Sequence, residues 1–590
     1  MPPASVSGYA DNGVVSRLWA RLLLAAVCAV VGVVLTLRPF TSLGVLVLLV
    51  AGTFVTTGVT ELVGARDTQV PVLAVAAGLG WIAAGVAAAV WASSTIHALA
   101  IVVGITLLLG GLTRITAAVT GREHDRAIAA LTGASSMIFG LLALGWPDKT
   151  VLVLALLVGP STVIFGLGQL LEAWRHRRGR PTPVRQRRPP RWMRASGAVA
   201  AVAFALALVA VSAVIHRSTA SPDAFYTPPT TVPARPGALL RSEAFTRGIP
   251  KDWRAWRILY TTTRNENVPA VASAVVIASD RLPAGPRPVI AWAHGTTGVA
   301  SRCAASLLPS RWNADVIPGV DQALARGWVI VATDYVGLGT PGPHPYLIGQ
   351  GEARSLLDSV RAARLMSQLS LQPRTVIWGH SQGGHAALWA AMLGPTYAPD
   401  VHIAGVAALA PASDLKPLVE EVRNTLEGRV LGGYILTAYS DTYPDVSFDH
   451  YVRPAARVIV RQTASRCLDI PEAVPSVITA ALSRQPIYAV DPVTGALGRR
   501  LAENTPSGPI TMPLLIAQGL DDPLVLPSVQ RSFVNRLCHS GQSVEYRTYR
   551  RRDHLSLLWP GSRLVPYLMA WTQARFAARP EEGGCSVAQR

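Results

Sequence analysis

The sequence predicts an all-α polytopic membrane domain of three hairpins plus one further span, followed by an α/β domain carrying a large cap insertion. Three observations support this. Seven apolar runs, each near the ~20 residues that cross a bilayer, fill the first 215 residues. Beyond residue 240, strand-like runs alternate with helical patterns, as expected of a mostly parallel sheet with helices on both faces. One strand-to-helix transition there holds Gly379-His380-Ser381-Gln382-Gly383, a Gly-x-Ser-x-Gly turn.

Bulk properties narrow the function. The 590 residues carry a net charge of +19 from 54 basic and 35 acidic side chains, yet only Lys149, Lys251 and Lys416 are lysines. Such arginine bias without zinc-finger spacing or an RNA-binding signature gives no reason to expect a nucleic-acid partner. Half the residues are hydrophobic, and the excess lies in the apolar runs. Of five cysteines, Cys28 sits in such a run, where a packed thiol is the default. Cys303, Cys467, Cys538 and Cys585 all follow the last run. An even number in an exported domain points to two disulfides with three possible connectivities; four buried free thiols is the alternative.

Taken in order, residues 1–16 are polar, and too long and uncharged for a signal-peptide n-region. Residues 1–175 are expected to hold six spans, at about 18–36, 43–63, 70–91, 96–118, 127–145 and 150–172. Thr41, Thr95 and Thr150 open the second span of each pair, at separations of 54 and 55. Glycines recur at nearly matching offsets: Gly52, Gly104 and Gly159, then Gly58, Gly111 and Gly166. A period of this length reads as one hairpin used three times, its glycines allowing close helix packing. A basic loop over 176–194 precedes the seventh helix, at 195–215. This loop, together with Arg17, Arg21, Arg66, Arg122 and Arg126, places the N-terminus in the cytoplasm and everything after Arg217 outside. Head-group binding is a second use for that loop. Glu61, Arg114 and Glu172 lie near span ends, so the ionisable groups at depth that transport needs are missing from the spans.

A Pro-, Ser- and Thr-rich stretch over 216–240 reads as a spacer. The α/β domain occupies 241–590, with strands expected at 271–278, 288–293, 328–333, 375–378, 401–409, 513–518 and 543–549. Ala353, Leu356, Leu357, Val360 and Ala363 mark one helical face. A serine hydroxyl becomes a nucleophile only when a base takes its proton, and that base needs an orienting carboxylate. With Ser381 at the turn, the acid is sought after strand 513–518: Asp522 fits, and Asp521 is its competitor. His554, in the loop after strand 543–549, is the candidate base; His344, His380, His385 and His402 are assigned structural roles. The oxyanion donors expected are the Gln382 backbone N–H and an amide of the loop after 288–293, at Gly295 or Thr296. Residues 412–511 interrupt the alternation and read as a cap. Its Tyr434, Ile435, Leu436, Tyr439 and Tyr443 would either line an acyl-chain site or form the cap's own core.

Two resemblances follow. The three-hairpin layout over about 18–175, with Arg38-Pro39-Phe40-Thr41 and Trp146-Pro147-Asp148-Lys149-Thr150, resembles the HdeD-type short-repeat membrane proteins associated with acid resistance. Residues 225–585 resemble the secretory lipase family, through Ala332-Thr333-Asp334-Tyr335-Val336-Gly337-Leu338-Gly339, Gly379 to Ala386, and Tyr397-Ala398-Pro399-Asp400. That resemblance implies an α/β-hydrolase with a large cap acting on carboxylic esters, triacylglycerols included. It implies Ser381 as nucleophile, Asp522 as acid, His554 as base, and Cys303–Cys467 and Cys538–Cys585 bridges. The membrane half departs from a family whose members are typically freely secreted.

The expected function is thus a membrane-anchored, outward-facing serine hydrolase of lipid or other esters, needing no cofactor and no metal. The first alternative is an acyltransferase on envelope lipids, which would use the same acyl-enzyme with an alcohol acceptor. A peptidase is third: the fold supports one, but the lipase-like motifs weigh against it. From another class, the chain would be a stress-related membrane protein whose outer domain only binds.

Overall fold

The computed structural model describes residues 96–121, 125–145, 190–218 and 221–589, apart from 265–266, 282–284, 309–310, 581–582 and most of 470–485, together with scattered positions between 52 and 86. The expected spans at 18–36 and 150–172, most of those at 43–63 and 70–91, and the basic loop before Pro190 lie outside the described residues. The chain divides into two compact units, residues 1–214 with 481–485, and residues 215–480 with 486–590.

In the first unit, helices α1 (Ile96–Val119), α2 (Arg126–Gly145) and α3 (Arg191–Ser218) fall where three of the spans were expected. Glycines let α1 and α2 approach closely. A Cβ on Gly111 would lie 2.7 Å from the Gly133 carbonyl oxygen, and one on Gly140 would lie 2.8 Å from that of Gly104. Gly58 and Gly78 repeat the arrangement, with 2.5 Å from a Gly58 Cβ to the Gly78 oxygen. Gly58, Gly104 and Gly111 of the sequence repeat are therefore packing seams, as small residues are between apolar helices. The seam joins the second span of one expected hairpin to the first span of the next. Ile101, Leu109, Leu112, Leu141, Phe204 and Leu206 point outward and are exposed. Within α2 and α3 lie the two described stretches long and apolar enough to cross a membrane. Asp125 pairs with Arg191 at 3.0 Å and Arg194 at 2.9 Å, so α2 and α3 begin at the same end.

The second unit starts earlier than composition suggested. Residues 224–226 form a 3₁₀ turn, and Phe225 and Tyr226 are buried in the core. Arg241 donates to the carbonyls of Ala224, Phe225 and Thr227. The spacer expected over 216–240 is thus packed from Ala224 on: its prolines hide two aromatic anchors that burial holds in place.

Ten strands form one sheet: β1 (Leu239–Phe245), β2 (Trp253–Thr263), β3 (Pro269–Ser279), β4 (Arg287–Ala293), β5 (Val329–Thr333), β6 (Leu371–His380), β7 (His402–Leu409), β8 (Leu514–Gly519), β9 (Val544–Tyr549) and β10 (Cys585–Gln589). Their order is β1-β2-β3-β5-β4-β6-β7-β8-β9-β10. The first three pair antiparallel, β3 joins β5 antiparallel, and all pairs from β5 to β10 are parallel. Strands β1, β2 and β10 were not expected; β1 and β10 are the exposed edges of the sheet, and β2 mixes arginines and threonines with its apolar residues. Alternation sorts the two cores as a period of two requires. Val289, Ala291, Val329, Val331 and Ile377 face one side, with helices α4 (Gly349–Ala363) and α5 (Gln382–Tyr397). Ile290, Trp292, Ile330, Val376 and Trp378 face the other, with helix α6 (Leu564–Phe576). A third core fills the cap, which includes helices Leu415–Val422, Leu426–Thr442 and Gly495–Glu503. Bonds Cys303–Cys467 and Cys538–Cys585 tie the cap to the loop after β4, and β10 to the core.

Candidate active site

Strand β6 delivers the chain to Ser381, and α5 leaves from Gln382. The turn between them is sharp enough to force Ser381 to φ 58° and ψ −118°. Non-glycine residues pay for that conformation and keep it only where surroundings demand it. Here the Ser381 N–H donates to the Leu409 carbonyl at 2.9 Å, and its own carbonyl accepts from Ala412 N–H at 3.1 Å. The flanking glycines are obligatory. A Cβ on Gly379 would stand 2.0 Å from the Gly383 oxygen, and one on Gly383 would stand 1.9 Å from the Ala293 oxygen.

Asp522 lies in the loop after β8, 2% exposed. One carboxylate oxygen, Oδ1, accepts from the Leu524 and Val525 N–H groups, both at 2.9 Å. The other, Oδ2, accepts from Gln518 Nε2 at 3.0 Å and from His554 Nδ1 at 2.8 Å. Four donors fix the carboxylate, and it in turn fixes the imidazole. Asp521, the competing candidate, is exposed, and its N–H donates to the Arg552 carbonyl.

His380, given a structural role from the sequence, touches the site directly. Its Nε2–H donates to the His554 carbonyl at 2.9 Å, and the two rings lie 4.7 Å apart. Burial, helped by the neighbouring His554, pushes His380 down to about 3. It therefore props the His554 backbone as a neutral donor.

Gln382 is the first residue of α5, so its N–H has no acceptor within the helix. A Cβ on Gly295 would lie 3.1 Å from His380 Nδ1 and 3.5 Å from the Ser381 Cβ, which puts this loop against the serine. The Thr296 hydroxyl is bonded to Tyr346 at 2.9 Å. Leu468 N–H donates to the Thr297 carbonyl at 2.7 Å, one residue past Cys467, so the disulfide pins the cap beside the same loop.

Beneath the serine lies a network that the sequence reading did not assemble. Glu352 of α4 is fully buried and accepts from Gln382 Nε2 at 2.7 Å and Leu347 N–H at 3.0 Å, while His385 Nδ1 lies 3.1 Å away. Gln382 Nε2 also donates to His344 Nε2 at 2.9 Å. Burial raises the Glu352 carboxyl and pushes His344 down to about 3. A signal was available: Glu352 stands one turn from Leu356, on the apolar face of its helix.

From Ser381 and Gln382 a narrow apolar cavity runs into the cap, past Leu415, Leu418, Val419 and Leu431 to Val422 and Gly428. Of the five large cap residues singled out, Ile435 lines it. Tyr434, Leu436 and Tyr439 are buried in the cap's own core, with Tyr443 packed against it. Those four side chains are therefore cap core, while the cavity wall is mostly aliphatic, with Tyr346 and Tyr488 beside it.

A family model described as secretory lipase matches residues 301–584. A second, described as a short repeat of unknown function (DUF308), matches residues 23–71, 76–135 and 131–212. Its third match takes in the helix that the sequence reading set outside the repeats. A probable inactive lipase of Mycobacterium tuberculosis is 28% identical over 386 residues, covering 61% of this chain and 83% of that one. Lipase 6 of Candida albicans is 26% identical over 298 residues, covering 45% of this chain and 59% of its own length. The X-ray structure of Candida antarctica lipase A superposes with a TM-score of 0.51 at 20% identity, covering 63% of this chain and 90% of that one. Residues 301–584 therefore match the secretory lipase family on a C-terminal unit with an α/β-hydrolase fold, and the N-terminal half carries the matches to the short repeat.

Proposed function

We propose that this protein is a membrane-anchored, outward-facing serine hydrolase that cleaves carboxylic esters of acyl lipids through an acyl-enzyme. The observation that carries the reading is the His554–Asp522 hydrogen bond of 2.8 Å, beside a strained serine that opens into an apolar cavity. Ser381 Oγ attacks the ester carbonyl while His554 takes its proton, and Asp522 holds the imidazole in the required tautomer. The oxyanion is met by the Gln382 N–H and an amide of the Gly295–Thr296 loop. His554 then protonates the leaving alcohol, and water releases the acid by the same steps in reverse. The aliphatic cavity takes the acyl chain.

Anchoring is supported by the outward apolar faces of α1, α2 and α3. The shared end of α2 and α3, marked by Asp125 with Arg191 and Arg194, supports a cytoplasmic face there. Two disulfides after the last apolar helix support export of the second unit.

A second reading, an outer domain that binds without turnover, is favoured by the name of the Mycobacterium tuberculosis relative. Purified full-length chain, incubated with a fluorophosphonate probe and with p-nitrophenyl esters of increasing length, separates the two. Labelling and turnover that vanish in Ser381→Ala and fall sharply in His554→Ala are expected. A folded chain inert to both reagents would establish the second reading instead.

A further inference from the structure

We propose that the loop from Arg550 to Arg563 is a docking surface for an anionic lipid bilayer, holding the active-site rim against the membrane. The inference rests on the anchored reading above and adds the surface that meets the lipid. The loop follows β9 directly and contains His554. Residues 554–559 coil into successive turns, with Leu558 N–H donating to the Leu555 carbonyl at 3.0 Å and Leu557 N–H to Asp553 at 3.3 Å. Leu557 and Leu558 point inward, 0% and 2% exposed, while Leu555 and Trp559 point outward at 59% and 46%. The outward pair stands four residues apart, on one face of the turn.

These residues are displayed by a rigid support. Asp553 Oδ1 accepts from the N–H groups of Leu555 and Ser556, at 3.1 and 2.7 Å. Arg552 donates to the carbonyls of Ser556 and Gly561, closing the loop across its base. A large indole and a leucine held in water on an ordered loop call for a partner. Its chemistry follows from the neighbours: Arg550, Arg551 and Arg563 are all exposed. Asp553 is engaged within the loop and Asp521 lies beside Arg552, so these two acids stand against Arg550, Arg551, Arg552 and Arg563. Tryptophan at head-group depth, an aliphatic side chain below it and arginines around the rim match an anionic bilayer.

Five residues, 219–223, separate the end of α3 from the packed turn at Ala224. They span at most about 20 Å. Tyr226 of that turn bonds to Ser306 at 2.8 Å, and Ser306 N–H donates to Asp334, which follows β5 directly, also at 2.8 Å. Strands β5 and β9 run the same way. The turn at Tyr226 and the loop after β9 therefore both lie at the rim formed by the carboxyl ends of the strands.

The test uses the full chain in vesicles of phosphatidylcholine, with or without phosphatidylglycerol. A photo-crosslinker replaces Trp559 or, as control, Leu365, which is 60% exposed beyond the carboxyl end of α4, at the opposite rim. Lipid adducts at 559 should exceed those at 365 by about fivefold and rise with phosphatidylglycerol, since each arginine near such a surface contributes about fivefold in partitioning. Equal yields, or adducts at 559 to a second copy of the chain, would overturn the proposal. Leu555→Ser with Trp559→Ser should leave turnover of a soluble acetate ester unchanged and lower turnover of a bilayer ester about tenfold. Equal loss on both esters, or loss on neither, would also overturn it. Absent turnover in every form would remove the hydrolase reading, and the adducts would still decide the docking surface.

Discussion

Asparagine at position 522 should cripple turnover while leaving the fold in place, for a reason fixed by four hydrogen bonds. Leu524 and Val525 aim two backbone N–H groups at one oxygen of Asp522, so the oxygen of the new amide must stay there. Its NH₂ then occupies the position facing His554 Nδ1 and Gln518 Nε2. Donating to Nδ1 forces the proton onto Nε2, and the imidazole can no longer accept from Ser381. A wrong tautomer of this kind costs about 10⁴ in rate, roughly 5 kcal/mol of barrier at 1.36 kcal/mol per decade. Gln518 cannot relieve the clash by turning, because its Nε2 also donates to the Val525 carbonyl at 2.9 Å. The unmatched donor pair should therefore lower stability by about 1–2 kcal/mol as well. Initial rates on a soluble p-nitrophenyl ester, beside a thermal melt, measure both. Asp521→Asn should stay within about twofold of wild type, its side chain being exposed. A folded Asp522→Asn protein retaining a tenth of wild-type kcat/KM would refute the assignment.

Three further outcomes are expected. Gly432 lines the cavity, and a Cβ there would lie 2.4 Å from the Tyr488 hydroxyl. Gly432→Phe should consequently cut kcat/KM for long-chain esters about tenfold or more while sparing acetate, and an unchanged chain-length profile would contradict the acyl cavity. Cys303 and Cys467 are 164 residues apart. Losing that bridge through paired serines should cost about 5 kcal/mol by loop entropy, against about 4 for Cys538–Cys585 at 47 residues; denaturant titrations would rank the two. Burial raises Asp334 to about 6 from 3.8, against hydrogen bonds from Ser273 and Ser306 that pull it down. The folded state then holds the proton more tightly than the unfolded chain. The stability associated with this group is accordingly present below pH 3.8 and is lost as pH rises through 6, by roughly 3 kcal/mol. Asp334→Asn should flatten that part of the pH–stability curve, and an undiminished slope would contradict it.

The sequence by itself determined the features that local rules dictate. Seven strands of the sheet are short runs rich in β-branched, aromatic and other apolar residues. The tight turn at Ser381 needs glycine on both sides, and the loop positions of Asp522 and His554 follow from the strands before them. Helices α1, α2 and α3 follow from long apolar stretches in the same way. Only tertiary structure decided which groups meet across the chain. Edge strands β1 and β10, and β2 beside the first of them, are strands because a neighbour offers them a ladder. The packed turn at Phe225 and Tyr226 looked like a spacer, since prolines dominate its composition while the burial partners lie 80 or more residues away. His380 touches His554, 174 positions further on, and Glu352 finds Gln382 and His385 only once α4 is laid against α5. Tyr434, Tyr439 and Tyr443 faced either way until packing turned them into the cap's core and left a mostly aliphatic wall, with Tyr488, around the cavity. Side-chain periodicity is a local property that a linear reading captures, whereas hydrogen-bond partners and cavity walls arise from contacts between segments distant in sequence, which exist only in the folded chain.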